Sequence, residues 1–147
     1  MPLVFQPSIK ILLVEDSPAD VIIMQDALAE IRMRGSICVV DDGVKALAFL
    51  RNQPPYTDAL RPDLILLDWN LPRKNGREVL TEIKADPALQ TIPVVVLTTS
   101  QAAEDVAKAY NLHANCYVVK PLEFATFVQA VQSIQHFWLD VVTLPLE

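Results

Sequence analysis

Five short apolar segments alternate along the chain with five segments whose apolar residues recur at helical spacing. The apolar segments cover residues 9–14, 37–40, 63–67, 92–97 and 115–119. The predicted helices cover residues 18 to about 33, 44–51, 77–85, about 102–111 and 122 to beyond 138. Short continuous apolar runs are typical of strands buried on both faces, and strand–helix alternation favours parallel strands joined by helical crossovers. The sequence therefore predicts an α/β fold with a doubly wound, five-stranded parallel sheet.

Length and composition suit one domain of this kind, and we expect residues 1–147 to form it. With 52% hydrophobic residues the chain can bury a full core. The net charge of −6 argues against a nucleic-acid surface, which needs a basic stripe. No apolar run reaches the roughly 18 residues that cross a membrane, and residues 1–7 lack the basic region of a signal peptide. We therefore expect a cytoplasmic protein without a membrane partner, in which Cys38 and Cys116 are buried, reduced thiols.

Chemically reactive side chains follow four of the predicted strands. Glu15 and Asp16 follow the first strand, Asp68 the third, Thr98 the fourth and Lys120 the fifth. In an open parallel sheet, ligands bind outside the carboxyl ends of the strands, so we expect these side chains to converge on one edge. Each acid alone would also fit a solvated turn. The joint occurrence of the whole set is the more specific signal.

Three neighbouring carboxylates repel one another unless a cation lies among them. Carboxylate oxygens are ligands for Mg²⁺, which keeps several waters and takes one or two carboxylates together with phosphate oxygens. A carboxylate can also act as a nucleophile and form an aspartyl phosphate. The pattern therefore predicts that Asp68 accepts a phosphoryl group beside Mg²⁺. The Lys120 ammonium would neutralise charge on that group, and the Thr98 hydroxyl would donate a hydrogen bond to it.

These residues resemble the receiver domain of two-component response regulators, over about residues 8 to 137. The motifs follow the family's order: Glu15-Asp16, Asp68-Trp69-Asn70-Leu71-Pro72, Thr98 and Lys120-Pro121. The resemblance implies a flavodoxin-like (βα)5 fold with strand order 2-1-3-4-5. It also implies that Asp68 takes its phosphoryl group from the phosphohistidine of a sensor histidine kinase. The protein would then be a phosphoacceptor rather than an enzyme, catalysing only its own phosphorylation and the hydrolysis of the product.

The resemblance assigns further roles within this set. Mg²⁺, or Mn²⁺ or Ca²⁺ in its place, would be bound at the cluster of acids. The ligands would be Asp16, Asp68, the backbone carbonyl of Asn70 and, through a water molecule, Glu15. Thr98 and Tyr117 match the family's switch pair, in which the threonine moves towards the phosphoryl group and the aromatic side chain turns inward.

Longer segments are similar to the single-domain response regulators that partner bacterial phytochromes. They are residues 64–68, 76–80, 92–100, 112–117 and 137–139. This resemblance implies that the partner is a light-regulated sensor histidine kinase, a bacteriophytochrome. Output would come from protein–protein contacts.

An apolar extension covers about residues 137–147. Contiguous exposed apolar patches usually mark interfaces, and the phytochrome-type regulators that this chain resembles form homodimers. We therefore predict a homodimer or partner surface at this end of the chain, formed by this tail or by the face of the final strand and helix. Its residues would be Phe137, Trp138, Leu139, Val142 and Leu144. A tail folded back on its own domain is the alternative.

Three other functions compete with a phosphorylated receiver. A Mg²⁺-dependent phosphatase of the haloacid-dehalogenase type also uses a strand-end aspartate, but it needs a second aspartate where this chain has Asn70. A flavin- or nucleotide-binding fold needs a phosphate-binding loop after the first strand, where residues 15–20 are acidic instead. A pseudo-receiver would dock without being phosphorylated, which the complete set of site residues disfavours.

Overall fold

The computed structural model describes residues 9–30, 35–98 and 116–119. The strands are β1 (Ile9–Val14), β2 (Gly35–Val40), β3 (Leu64–Asp68), β4 (Val94–Thr98) and β5 (Cys116–Val119). The helices are α1 (Pro18–Glu30), α2 (Gly43–Leu50) and α3 (Gly76–Ala85). Within these ranges, none of the helices is both long enough and apolar enough to cross a membrane. The helices predicted over residues 102–111 and 122–138 lie outside the described residues.

The five strands form one parallel sheet in the order β2-β1-β3-β4-β5. This arrangement confirms the predicted fold class and strand order. The direction in which successive strands are added reverses between β1 and β3, because β2 lies on the other side of β1. A ligand site in such a sheet lies at this reversal, outside the carboxyl ends of the two strands.

Both faces of the central strands are buried. On one face, alternate strand residues pack with α2 and α3 in a single hydrophobic cluster. The strands contribute Leu12, Val14, Ile65, Leu67, Val94 and Val96, and the helices contribute Leu47, Leu50, Val79, Leu80 and Ile83. The strand residues between them point to the opposite face, because side chains alternate along a strand. They are Ile11, Leu13, Leu64, Leu66, Val95 and Leu97, and all are buried.

Element boundaries differ from the sequence prediction by one or two residues, for local reasons. β2 begins at Gly35 rather than at residue 37, because Gly35 already lies opposite Ile9 of β1. Gly35 therefore starts a strand, whereas the described part of α1 ends at Glu30. β4 begins at Val94 rather than at residue 92, since Pro93 has no N–H to donate to the ladder.

The prediction that Cys38 is buried is wrong. Cys38 is exposed, and its neighbour Val39 is 38% exposed. β2 is the edge strand of the sheet and has a neighbouring strand on one side only. Among the β2 residues whose burial is described, Ile37 is half-buried and only Val40, at the carboxyl end, is fully buried, where it joins the cluster under α2. The side chain of Cys116 lies outside the described part of the chain.

Candidate functional site

Three carboxylates meet at the carboxyl edge of the sheet, between β1 and β3. Glu15 and Asp16 directly follow β1, and Asp68 is the last residue of β3. One carboxylate oxygen from each of the three residues lies within 4.8 Å of those of the other two. Glu15 and Asp68 are buried, with 1% and 3% of their surface exposed, whereas Asp16 is exposed. The sheet thus brings together the three acids that the sequence placed at its strand ends.

Backbone pairing brings Glu15 level with Asp68. Val14 lies opposite Leu67 in the β1–β3 ladder, and the two acids are the next residues of their chains. The N–H of Glu15 donates to the Val40 carbonyl at 3.0 Å, which extends the β1–β2 pairing by one residue. The sheet therefore fixes the backbone position of Glu15, and from this position its carboxylate joins the cluster.

A short turn joins Glu15 to α1. The Oε1 atom of Glu15 accepts a hydrogen bond from the Ser17 N–H at 3.1 Å. Ser17 is the N-cap of α1: its Oγ accepts from the Asp20 N–H at 3.4 Å, and its carbonyl accepts from the Val21 N–H at 3.0 Å. Asp16 consequently lies between a buried acid and the N-terminus of a helix. The partial positive charge of that helix end favours a carboxylate there.

The chain folds back on Asp68 immediately after β3. The N–H of Asn70 donates to Oδ1 of Asp68 at 3.2 Å. Further along, the N–H of Gly76 donates to the carbonyl of Trp69 at 3.1 Å. These two bonds close the segment of residues 69–75, called here the β3–α3 loop, and hold Asn70 beside the carboxylate.

α3 begins directly against this end of β3. A Cβ atom on Gly76 would lie 2.5 Å from the Asp68 carbonyl oxygen and 2.7 Å from the Trp69 Cα, so only glycine fits without movement. Asn75 caps the helix by accepting from the Glu78 N–H at 2.9 Å. The Glu78 carboxylate accepts in return from the Asn75 N–H at 3.2 Å, which completes a capping box.

The other predicted site residues lie on or beyond β4 and β5. Thr98 ends β4 opposite Val119, and Tyr117 lies opposite Val96. The structure describes Thr98 and Tyr117 by their backbone only. Lys120 lies outside the described residues. So do the predicted interface residues Phe137, Trp138, Leu139, Val142 and Leu144.

The described side chains form a donor set of hard oxygen atoms. An ionised carboxylate that is removed from water is costly unless a partner charge compensates it, and here two buried acids lie with a third within 4.8 Å. A small divalent cation such as Mg²⁺ takes carboxylate oxygens of this kind and leaves positions for water and phosphate oxygens. The cluster of Glu15, Asp16 and Asp68 therefore fits a hard divalent cation.

The N-terminus of α2 contacts the β3–α3 loop, which no sequence pattern predicted. Asp42 is only 4% exposed. Its Oδ1 accepts from the Lys45 N–H at 2.7 Å, and its Oδ2 lies 3.6 Å from Nη1 of Arg73. The next residue, Gly43, lies against Lys74. An aspartate before an apolar helical run signals an N-cap, but no local pattern signals its partner in a distant loop.

A network of charged side chains continues from the same loop. The Lys74 ammonium donates to the carboxylate of Glu82 on α3, and Nη2 of Arg51 donates to the same group at 3.3 Å. The hydrogen bond from Lys74 holds the pKa of Glu82 below its ordinary value, against the opposing effect of burial. The end of α2, the β3–α3 loop and α3 are thus linked through one carboxylate.

Comparisons with known proteins agree with this geometry. The profile of the response regulator receiver domain matches residues 11–132, which include all three carboxylates. Response regulator Rcp1 from Synechocystis sp. is 50% identical over 135 residues, which are 92% of each chain. The crystal structure of the phosphorylated cyanobacterial phytochrome response regulator RcpA has a TM-score of 0.87 and 49% identity, over 95% of this chain and 100% of that one. The crystal structure of the Mn²⁺-bound form of Rcp1 has a TM-score of 0.85 and 49% identity, over 94% and 99% of the two chains.

Proposed function

This chain belongs to the response regulator receiver family, and on that premise we propose that Asp68 accepts a phosphoryl group from the phosphohistidine of a sensor histidine kinase. A carboxylate oxygen of Asp68 would bond to phosphorus while the bond from phosphorus to the imidazole nitrogen breaks. The observation that carries this proposal is the cluster in which oxygens of Glu15, Asp16 and Asp68 lie within 4.8 Å of one another. The result would be a phosphorylation-dependent regulator in two-component signalling.

The same cluster would bind the divalent cation that such a transfer uses. The proposed cation is Mg²⁺, with Mn²⁺ or Ca²⁺ as substitutes. The proposed ligands are Asp16, Asp68 and the backbone carbonyl of Asn70, with Glu15 acting through water. Support comes from the oxygen donor set and from the Mn²⁺-bound structure of Rcp1, which is 49% identical to this chain. When bound, the cation would neutralise charge on the phosphoryl oxygens.

Residues of this chain would orient the acceptor. The N–H of Asn70, which donates to Oδ1 of Asp68 at 3.2 Å, would fix the orientation of the carboxylate. The Ser17 N–H, which donates to Oε1 of Glu15, would hold that acid at the edge of the site. Lys120 would stabilise the transferred group by its charge, so that the protein catalyses its own phosphorylation and the hydrolysis of the product, and no reaction of another substrate.

Thr98 and Tyr117 would transmit phosphorylation to the surface. The proposal is that the Thr98 hydroxyl hydrogen-bonds to the phosphoryl group and that Tyr117 turns inward as a consequence. Support comes from their places at the end of β4 and in the adjacent strand β5. Phosphorylation would then bias the binding of partners through the β4–β5 side of the domain.

The proposed kinase is a bacteriophytochrome. Support comes from the 49% identity with RcpA, which is described as a cyanobacterial phytochrome response regulator. A bacteriophytochrome response regulator named RtBRR is 40% identical over 95% of this chain, with a TM-score of 0.79. Phosphotransfer from purified phytochrome kinases, compared with transfer from kinases of other sensory classes, tests this partner. Preference for a different class would contradict it.

A homodimer through the apolar end of the chain completes the proposal. Its support is the run of apolar residues between 137 and 147. Sedimentation of the full chain and of a chain ending at Gln135 tests it. We expect weaker self-association for the shorter chain. Identical sedimentation of the two would place any dimer contact elsewhere.

Labelling with a small phosphodonor tests the function directly. With acetyl phosphate and Mg²⁺, the wild-type chain should acquire a phosphoryl group that is labile in acid and in base, as an acyl phosphate is, and Asp68→Asn should not. Asp63→Asn is the matched control, because Asp63 precedes the same strand at its opposite end, where its carboxylate accepts from the Lys10 N–H at 2.9 Å. This control should label as the wild type does. Equal labelling of Asp68→Asn would move the acceptor to another residue.

A further inference from the structure

The first residue of α2 lies closer to the β3–α3 loop than any side chain would allow. A Cβ atom on Gly43 would stand 1.9 Å from the carbonyl oxygen of Lys74 and 2.7 Å from Cγ2 of Val79. Real Cβ atoms essentially never approach another heavy atom closer than 3.0 Å. The N-terminus of α2 is therefore in direct contact with the backbone of the loop.

The residue before Gly43 holds the same loop by charge. Asp42 is buried, caps α2 through the Lys45 N–H at 2.7 Å, and lies 3.6 Å from the guanidinium of Arg73. The Asp42 carboxylate thus caps α2 and also attracts the Arg73 side chain of the loop. Arg73 has a φ of 67°, which is costly for a residue with a side chain. Its contact with Asp42 favours the loop conformation in which that φ occurs.

The loop transmits its position to the site because it is short and closed. The N–H of Lys74 donates to the carbonyl of Pro72 at 2.8 Å, and the N–H of Gly76 donates to that of Trp69 at 3.1 Å. Asn70 lies inside this closed segment, next to Asp68. A shift at one side of a loop with so few residues moves the other side.

The burial of α2 and of the loop indicates which of the two would move if an atom were added between them. α2 is anchored in the core by Ala46, Leu47, Phe49 and Leu50, all buried. The loop, in contrast, is anchored in the core by Trp69 and Leu71 and exposes Asn70, Pro72, Arg73 and Asn75. An added methyl group at position 43 would therefore displace the loop, by more than about 1 Å, rather than the helix.

We propose that Asp42 and Gly43 are positioning residues of the phosphorylation site: the N-terminus of α2 sets the place of the β3–α3 loop and, through it, of the Asn70 carbonyl. This inference rests on the proposed function, since it concerns a carbonyl proposed there as a cation ligand. Substitution of residues that contact the ligands of a metal, and not the metal itself, typically changes the metal affinity by about tenfold to a hundredfold. The N-terminus of α2 thus tunes the affinity of the site without touching the cation.

Mn²⁺ titration of the full chain tests the inference, with free Mn²⁺ measured by its electron paramagnetic resonance signal. Gly43→Ala should bind Mn²⁺ at least about tenfold more weakly than the wild type. Leu47→Ala is the control, because it removes a buried side chain from the same helix and destabilises the domain without adding an atom against the Lys74 carbonyl. It should keep the wild-type affinity at temperatures where circular dichroism shows both variants folded.

The Mn²⁺ titration distinguishes a failure of the positioning role from a failure of the proposed cation site. Mn²⁺ binding by the wild type with unchanged affinity in folded Gly43→Ala overturns the positioning role alone. Equal weakening by Leu47→Ala also overturns it, since general destabilisation would then explain the loss. A wild-type chain that binds no Mn²⁺ overturns the proposed cation site and this inference with it.

A double-mutant cycle provides a second test that does not depend on the folding of Gly43→Ala. Asp42→Asn keeps an oxygen to cap α2 but loses the charge that attracts Arg73, and Arg73→Gln removes the partner. If the pair positions the loop, the effects of the two changes on Mn²⁺ affinity should deviate from multiplicative behaviour by at least about twofold. Multiplicative effects overturn the positioning role of Asp42, and they decide against the proposal if Gly43→Ala does not fold.

Discussion

Gly76 lies so close to Asp68 that a Cβ atom on Gly76 would stand 2.5 Å from the Asp68 carbonyl oxygen. The first residue of α3 is thus in contact with the backbone of the proposed phosphoacceptor. The N–H of Gly76 also donates to the carbonyl of Trp69 at 3.1 Å. The start of α3 and the end of β3 therefore behave as one packed unit, and a change in either should be felt by the other.

Replacing Gly76 by alanine tests this packing. Gly76→Ala should lower the free energy of unfolding by about 1–3 kcal/mol, because the added methyl group forces α3 away from β3. The loss should appear even though alanine favours a helix over glycine by up to about 1 kcal/mol. Equilibrium unfolding in urea measures it. Ala85→Gly, an exposed change at the other end of α3, calibrates the helix preference, and a gain in stability for Gly76→Ala would contradict the contact.

The capping box at Asn75 should contribute to the same helix start. Asn75→Ala removes the oxygen that accepts from the Glu78 N–H at 2.9 Å and should cost about 1 kcal/mol of unfolding free energy. Asn75→Ser supplies another capping oxygen and should restore most of that loss. Thermal unfolding followed by circular dichroism compares the three chains. Equal losses for the alanine and serine variants would show that the missing capping oxygen does not cause the loss.

Acid should weaken the network around Glu82. Its pKa is lowered by the hydrogen bond from Lys74, so the unfolded chain binds a proton at this carboxylate more readily than the folded chain does. The resulting stability is complete above the ordinary glutamate value of 4.5 and is lost as the pH falls through the lowered value. Because the Lys74 and Glu82 side chains are about one-third exposed, their ion pair contributes at most about 1 kcal/mol to the free energy of unfolding.

Glu82→Gln measures that contribution. The variant should be less stable than the wild type at about pH 7, and the difference should shrink as the pH falls from about 5 to 3. Urea unfolding at several pH values follows this trend. Asp58→Asn changes an exposed acid in the loop before β3 and should show no comparable difference. A wild-type advantage that grows towards low pH would contradict the assigned direction of the pKa shift.

The sequence predicted the parts of the fold that depend on repeated local patterns. β3 could be recognised because Ile65 and Leu67 face one buried side of the sheet while Leu64 and Leu66 face the other, which gives a continuous apolar run. The meeting of Glu15 with Asp68 followed from the rule that parallel strands end at the same edge. These are properties of segments, and they can be read from adjacent residues.

Features that depend on distant neighbours escaped prediction. Cys38 has the apolar surroundings of a strand residue in the sequence, and its exposure follows from the place of β2 at the sheet edge. The pairing of Asp42 with Arg73 depends on how α2 and the β3–α3 loop meet in space. The residues adjacent to Gly43 in the sequence do not indicate its contact with Lys74. In each case the cause lies in packing between separate elements.

The identity of the modified residue tests the central claim most directly. Borohydride reduces an aspartyl phosphate to homoserine, and peptide mass spectrometry then locates the reduced position in a chain treated with acetyl phosphate and Mg²⁺. We predict reduction at position 68, dependent on the phosphodonor and absent from Asp68→Asn. Reduction at a different aspartate, or a phosphorylated chain that is left unreduced at position 68, would contradict the assignment of Asp68 as the phosphoacceptor.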